Sequence, residues 1–152
     1  MLRPISSSDL HSCVNLFVET FAHPPWNETW DPETVRQRLD QIFQTPGAFG
    51  VGIGDENLTG FALGVSEPWH EGTHFFLKEV CIDPQFQRQG LGSKLMAYLT
   101  EQLMDRNTQW IYLLTARGDI SESFYEKLGF YTSPKMILMA KRFSTEAAQP
   151  TG

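Results

Sequence analysis

The chain has 152 residues, of which 41% are hydrophobic and 20% are charged, so its length suits one domain and its composition excludes a disordered chain. The net charge is −6 and no basic stripe is visible, which argues against a general nucleic-acid binder. No apolar run approaches a membrane span and the first residues do not form a signal peptide, so we expect a cytoplasmic protein with neither membrane nor nucleic acid as a partner.

The first half of the chain predicts two helices and three strands. Residues 2–5 suit a short strand, and the helix that follows has apolar residues three or four positions apart, at Leu10, Val14, Phe17 and Phe21. The prolines within 23–26 end this helix, and Asp31-Pro32 is a good start for a second. Alternating apolar residues on both sides of the polar segment 55–57 predict a β-hairpin over 49–65.

The second half alternates strands and helices. The predicted order is a long strand over 73–82, a helix over 90–106, a strand over 110–115, a short helix over 121–128 and a last strand over 136–141. This order predicts a mixed α/β fold around one central sheet. We expect one domain over 1–143 and a flexible tail over 144–152.

Cysteine and histidine residues do not indicate a metal site. Cys13 and Cys81 lie in apolar stretches outside any CxxC pair, which is typical of reduced core thiols. The four histidines are scattered and none pairs with another at ligand spacing, so we expect no metal. Cys81 as an acetyl-carrying nucleophile is the less favoured interpretation.

The stretch 80–93 combines an apolar strand, a polar turn with Gly90 and Gly92, and the start of a strong helix. Backbone N–H groups at a helix N-terminus favour an anion such as a pyrophosphate, and glycine lets a phosphate approach closely. The dinucleotide pattern fails because position 95 is leucine, and a Walker-type loop fails because no Gly-Lys-Ser/Thr occurs. On these residues alone, a tight turn without a ligand remains open.

The pattern Gln-x-x-Gly-x-Gly at 87–92 and the segment Phe-Tyr-Glu-Lys-Leu-Gly-Phe at 124–130 resemble the GCN5-related N-acetyltransferase (GNAT) superfamily. The resemblance implies a mostly antiparallel sheet with a splayed strand pair, flanked by helices. Family members often carry asparagine near the start of the short helix, where this chain has Gly118-Asp119. That departure affects only the details of cofactor contact.

The resemblance also implies acetyl-CoA as the acetyl donor. Cys81 and Ile82 would pair with its pantetheine arm as an added strand, which suits an arm that carries amides. The pyrophosphate would be held by the loop and the first helical turn, and Phe124 would contact the cofactor. The loop residues are Gln87, Arg88, Gln89, Gly90, Leu91, Gly92 and Ser93.

Two residues are candidates for catalysis. Tyr125 would give a proton or a hydrogen bond to the departing thiolate, the alternative being core packing. Glu79 would take the proton of the attacking ammonium, directly or through water, because a free alkylamine is protonated at pH 7. We place Glu79 on one strand face with Leu77 and Cys81, where a buried charge needs a reason. Pairing of Glu79 with a lysine or arginine is an equal alternative.

The segment after the double proline holds Trp26, Glu28 and Trp30, which would line the acceptor pocket or cap the core. The predicted activity is direct acetyl transfer to a primary amine of a small cationic molecule, either aminoglycoside-like or polyamine-like. A protein lysine or N-terminal acetyltransferase and a non-catalytic acyl-CoA-binding module are the alternatives, and a homodimer stays open. Fold and cofactor do not fix the acceptor.

Overall fold

A computed structural model describes residues 1–143, so the predicted tail over 144–152 lies outside the described residues. The described chain has a first compact unit, Met1–Thr115, and a second that begins at Ala116. The sheet and three helices belong to the first unit, and one short helix, α4, at Ile120–Lys127, belongs to the second. The expectation that 1–143 form a single domain stays a prediction.

The first unit is built on a mixed sheet of five strands that neighbour one another in chain order. The strands are β1 Leu2–Pro4, β2 Ala48–Gly54, β3 Leu58–Trp69, β4 Gly72–Ile82 and β5 Thr108–Leu113. Pairing is antiparallel from β1 to β4 and parallel between β4 and β5. The predicted mostly antiparallel sheet in a mixed α/β fold is therefore confirmed.

Helices cover both faces of this sheet. They are α1 Leu10–Ala22, α2 Pro32–Gln44 and α3 Leu91–Met104. The Asp31 side chain accepts from the Thr34 N–H at 3.3 Å and Pro32 follows it, as the sequence predicts for the start of α2. Apolar residues of α1 and α2 form one cluster with β3 and Cys81. The buried residues of α3 lie outside that cluster, and α3 contacts β2 and β3 from the other face.

The paired part of β4 and β5 is shorter than β4 itself. The parallel ladder ends where Leu77 lies opposite Leu113, whereas β4 continues to Ile82. Residues 79–82 thus pair with β3 only, among the described strands. The end of β4 therefore has no partner on the side of β5, which is compatible with the splayed strand pair that the family resemblance implies.

A β-bulge at Lys78 changes which side chains of β4 share a face. Glu79 lies opposite Leu63, but Leu77 lies opposite Gly64, so Lys78 has no opposite residue. Because Leu63 and Gly64 are adjacent, Glu79 and Leu77 point to opposite faces of the sheet. The prediction that Leu77 shares a face with Glu79 and Cys81 is therefore wrong, since one extra residue inverts the alternation.

Two other predictions need correction. The hairpin strand predicted to end at 65 continues to Trp69, and the turn at 70–71 joins it directly to β4. The last strand predicted over 136–141 is not a strand in the described chain. There the N–H groups of Lys135 and Met136 donate to the Ser133 hydroxyl, a local turn that competes with strand pairing.

Candidate active site

The loop after β4 connects the sheet directly to α3. The Asp83 side chain accepts from the Gln85 N–H at 2.9 Å and caps a short 3-10 turn, Pro84–Phe86. The Gln87 side chain donates to the Ile82 carbonyl at 3.1 Å, so it folds back onto the end of β4. Gln89 donates to the Gln85 carbonyl at 3.4 Å. Both glutamine side chains therefore stabilise the conformation of the loop itself.

Gly90 is the N-cap of α3, with φ of +78°, and an added Cβ there would meet nothing within 4 Å. Lys94 donates to the Gly90 carbonyl at 3.1 Å. The N–H groups of Leu91, Gly92 and Ser93 precede that bond and have no acceptor within the helix. No side chain caps this end, and Arg88, Gln89 and Ser93 are exposed. This geometry fits an anion such as a pyrophosphate.

The backbone N–H and C=O groups of successive β4 residues point alternately towards β3 and towards the open edge. Asp83 donates to the Thr59 carbonyl at 2.8 Å, so the antiparallel ladder turns the backbone groups of Asp83 and Cys81 towards β3. The backbone N–H and C=O groups of Val80 and Ile82 point away from β3, towards the side where β5 has ended. The register thus adds Val80, which sequence reasoning missed, to Ile82 as a candidate to pair with an extended ligand. The cofactor role of Cys81 stays a prediction.

The Ile82 carbonyl already accepts two hydrogen bonds. One comes from Gln87 and the other from the buried hydroxyl of Thr20 on α1, at 3.3 Å. A carbonyl oxygen has two lone pairs, so this acceptor is filled. A ligand strand would therefore bond the Ile82 N–H and the Val80 backbone.

The Cys81 side chain lies in the core with no exposed surface. Burial raises the pKa of its thiol well above the usual range, and the nearby Glu79 charge acts in the same direction. A thiolate is the reactive form of cysteine, so this site disfavours a nucleophile. The interpretation as a core thiol is the better supported one.

Glu79 is buried and forms an ion pair with Arg38 of α2. The Arg38 Nε to Glu79 Oε1 distance is 2.5 Å, and only 8% of the glutamate side chain is exposed. Burial raises the pKa of Glu79, while Arg38 and Lys78 lower it. The alternative of pairing with a basic residue is thus realised. A raised pKa nevertheless keeps Glu79 suited to accept a proton.

Tyr125 and Phe124 are half-buried on α4 in the second unit. The ring of Tyr125 packs edge-on against Phe124 and Phe130, with centroids 5.1 and 5.5 Å away. Phe130 donates its N–H to the Tyr125 carbonyl at 3.0 Å, which closes the end of α4. The Asp119 side chain accepts from the Ile120 N–H at 2.8 Å and caps the start. Aspartate thus serves as a helix cap where family members often have asparagine.

The segment between α1 and α2 is anchored on the aromatic residues of α1. Trp26 packs on Phe21 and Trp30 on Phe17, each with centroids 5.1 Å apart. The Trp30 indole N–H donates to the Glu28 carboxylate at 3.0 Å. These contacts favour capping of the core for both tryptophans. Their acceptor-binding role stays a prediction.

Among residues 1–143, no group of three or more histidine, cysteine, aspartate or glutamate side chains is placed to hold a metal ion. Over the same residues, no helix has both the length and the hydropathy of a membrane span.

Comparison with known proteins agrees with this geometry. Residues 11–130 match the model of the acetyltransferase (GNAT) family. Over 100 residues, the chain is 34% identical to an uncharacterized N-acetyltransferase, ycf52, of Gracilaria tenuistipitata var. liui. That alignment covers 66% of this chain and 52% of the relative, so the chain spans about half of that protein.

Solved structures share the fold at low identity. A possible acetyltransferase from Clostridium difficile 630 superposes with a TM-score of 0.78 at 14% identity, covering 95% of this chain and 98% of the other. Aminoglycoside N-acetyltransferase AAC(6')-Iy in complex with CoA superposes at 0.70 and 17% identity, covering 93% and 94%. At these identities the likeness shows the fold alone. Since the family model matches most of its length, the chain belongs to the acetyltransferase (GNAT) family.

Proposed function

We propose that this chain moves the acetyl group of acetyl-CoA directly onto a primary amine of a small cationic molecule. The observation that carries the proposal is the end of β4, where an open strand edge runs into an uncapped helix N-terminus at Gly90. Such an edge can pair with the amides of the pantetheine arm, and such a helix start can hold a pyrophosphate. Family membership supports this assignment.

Glu79 is proposed to receive the proton of the attacking amine, directly or through one water. Its raised pKa supports this role, because a base works best when its pKa approaches the working pH. Arg38 is proposed as a positioning residue that fixes the carboxylate and limits the rise of its pKa. The nitrogen then bonds to the thioester carbon, and the carbon–sulfur bond breaks.

Tyr125 is proposed to donate a hydrogen bond or a proton to the sulfur that leaves as a thiolate. The family resemblance supports this role, and so does the packing that holds its ring between Phe124 and Phe130. A bound ammonium loses two protons, one to Glu79 before the attack and one from the nitrogen as the amide forms. The second balances the proton that the thiolate gains, and the first passes from Glu79 to water, so the products are the acetamide, CoA and one proton. Neither a metal nor an oxidant is needed.

A small cationic acceptor suits the net charge of −6, and the aminoglycoside N-acetyltransferase of the same fold makes a cationic acceptor reasonable. The two buried free thiols support a cytoplasmic location. A homodimer stays a prediction.

An amine panel tests the activity, with release of the CoA thiol from acetyl-CoA as the readout. We expect turnover with aminoglycosides or polyamines and none with their fully N-acetylated forms. Turnover only with peptides would assign a protein acceptor instead. If acetyl-CoA binds in calorimetry but no amine releases thiol, the chain is a binding module and the transferase proposal is wrong.

Glu79→Gln should lower kcat/KM severalfold at neutral pH and remove the acidic limb of the pH profile. The base must be deprotonated to act, so activity falls as the pH drops through its pKa. Because burial raises that pKa, the limb of the native enzyme should lie above the ordinary range of a glutamic acid. The measurement is kcat/KM from pH 5 to 9, with acetyl-CoA affinity followed by calorimetry.

Arg38 gives that experiment its control. Arg38→Met removes a charge that lowers the pKa of Glu79, so the limb should move to higher pH. Arg38→Lys keeps the charge and should leave the limb nearly in place. An unchanged profile in Glu79→Gln would reduce Glu79 to a structural ion pair.

A further inference from the structure

Five aromatic rings form a continuous stripe at the end of the sheet where β3, β4 and β5 lie side by side. We call the set Trp69, His74, Phe76, Trp110 and Tyr112 the aromatic stripe. Neighbouring rings have centroids 4.7 to 5.3 Å apart. Trp69 is 56% exposed, so packing alone does not account for the stripe.

A carboxylate is fixed beside these rings. The Tyr112 hydroxyl donates to Glu67 Oε1 at 2.8 Å, and Glu67 is exposed. Burial and the neighbouring carboxylate raise the pKa of Tyr112 to about 12, so the phenol stays a donor at neutral pH. The Glu67 carboxylate is thus fixed beside electron-rich aromatic rings, and that combination attracts organic cations.

The chain itself shows that an alkylammonium can lie on this surface. The Lys78 Nζ lies 5.4 Å from the centroid of the Phe76 ring, which belongs to the stripe. This contact is a cation–π interaction within the range expected for such pairs. An amine ligand would present the same chemical group to the other rings.

The stripe and Glu79 lie on the same face of the sheet. Glu67 and Leu63 are both odd-numbered positions of β3, and Glu79 lies opposite Leu63 across the bulged ladder. Glu67 lies four residue steps along the extended strand from Leu63, a spacing of about 13 Å. Two carboxylates at this spacing on one face match a molecule with two separated ammonium groups.

We propose that Glu67 and the aromatic stripe bind the non-reacting ammonium of a small di- or polyamine whose other amine is acetylated near Glu79. This inference rests on the proposed function and names its acceptor class. Glu67 contributes the charge, Tyr112 holds that carboxylate, and Trp69 and Trp110 pack against the carbon skeleton. A monoamine would lack the contact with Glu67.

The test compares 1,8-diaminooctane with octylamine, which share a chain length and a reactive amine but differ in the second charge. We expect the native enzyme to prefer the diamine about tenfold in kcat/KM, the value of one charge-assisted hydrogen bond. Glu67→Gln should reduce the preference to the statistical advantage of two equivalent amines over one, and leave acetyl-CoA affinity unchanged. Tyr112→Phe keeps the ring and should reduce the preference partly.

Glu56→Gln is the matched control, because Glu56 is also exposed and its loss changes the net charge equally, but it lies in the β2–β3 turn at the opposite end of β3. It should keep the full preference. Diamine binding followed by tryptophan fluorescence gives a readout without turnover, and Glu67→Gln should weaken it about tenfold. Equal responses of the two variants, or no diamine binding to the native protein, would overturn the inference. Absence of turnover with every amine, with diamine binding intact, would overturn only the transferase proposal.

Discussion

Tyr125→Phe should lower kcat more than tenfold and leave the affinity for acetyl-CoA almost unchanged. The phenylalanine ring keeps the edge-on packing against Phe124 and Phe130, so α4 should keep its fold. The interaction of the hydroxyl with sulfur strengthens as negative charge develops there, and therefore it acts on the transition state more than on the bound ground state.

The size of this effect follows from the leaving group. A general acid typically contributes about 10²–10⁴-fold to a rate. A thiol has a pKa of about 8.5, so its anion is already a fair leaving group and the low end of that range applies. Single-turnover kinetics measures the chemical step, and calorimetry measures acetyl-CoA binding.

The two measurements separate the possible roles of Tyr125. Reduced chemistry with native affinity supports the proton donor. Native chemistry would remove Tyr125 from the mechanism, and lost affinity with native chemistry would make it a residue that packs the cofactor. Tyr131→Phe, on an exposed tyrosine of the same unit, is the control and should change neither quantity.

Local signals predicted much of the fold. The starts of α2 and α3 were predictable because a capping aspartate with a following proline, and a glycine before a leucine-rich run, act within a few residues. The continuation of β3 to Trp69 was not predicted. Gly64 and Pro68 are poor strand residues, and they are tolerated here because β4 pairs with them across a tight turn.

The face of Glu79 depended on a bulge that has no clear sequence signal. The bulged residue Lys78 inverts the side-chain alternation. A period-two pattern therefore places Leu77 and Glu79 on the same face of the sheet, although they lie on opposite faces. Likewise, Arg38 and Glu79 are 41 residues apart and Glu67 and Tyr112 are 45 residues apart. Such pairs arise from tertiary packing, which local patterns do not encode. The loop of the candidate site was therefore predictable from the sequence, whereas the contacts between distant elements were not.

Replacing both Gly90 and Gly92 with leucine should abolish the gain in stability that acetyl-CoA gives the native protein. A leucine side chain at Gly90 would occupy the open space in front of α3, and one at Gly92 would keep a phosphate from the first-turn N–H groups. Loss of one or two charge-assisted hydrogen bonds, at about 1.5–3 kcal/mol each, raises Kd about 100-fold.

The unliganded variant should remain folded, because its two local effects are small and partly offset each other. Leucine at Gly90 has an unfavourable left-handed backbone, which costs about 1–2 kcal/mol. Leucine at Gly92, inside the helix, recovers about 0.8 kcal/mol of helix propensity. Ala97→Leu adds the same side chain to an exposed position of α3 and serves as the control.

Thermal unfolding with and without acetyl-CoA decides the pyrophosphate assignment. At a ligand concentration of about 100 times the native Kd, the native protein and Ala97→Leu should gain about 2.7 kcal/mol from binding. A 100-fold weaker variant at that same concentration would gain only about 0.4 kcal/mol, because the ligand then merely equals its Kd. A double variant that unfolds at the native temperature without ligand and still gains the full amount would show that the phosphates lie elsewhere. In that case the open edge of β4, with Val80 and Ile82, would be the remaining part of the proposed cofactor site to test.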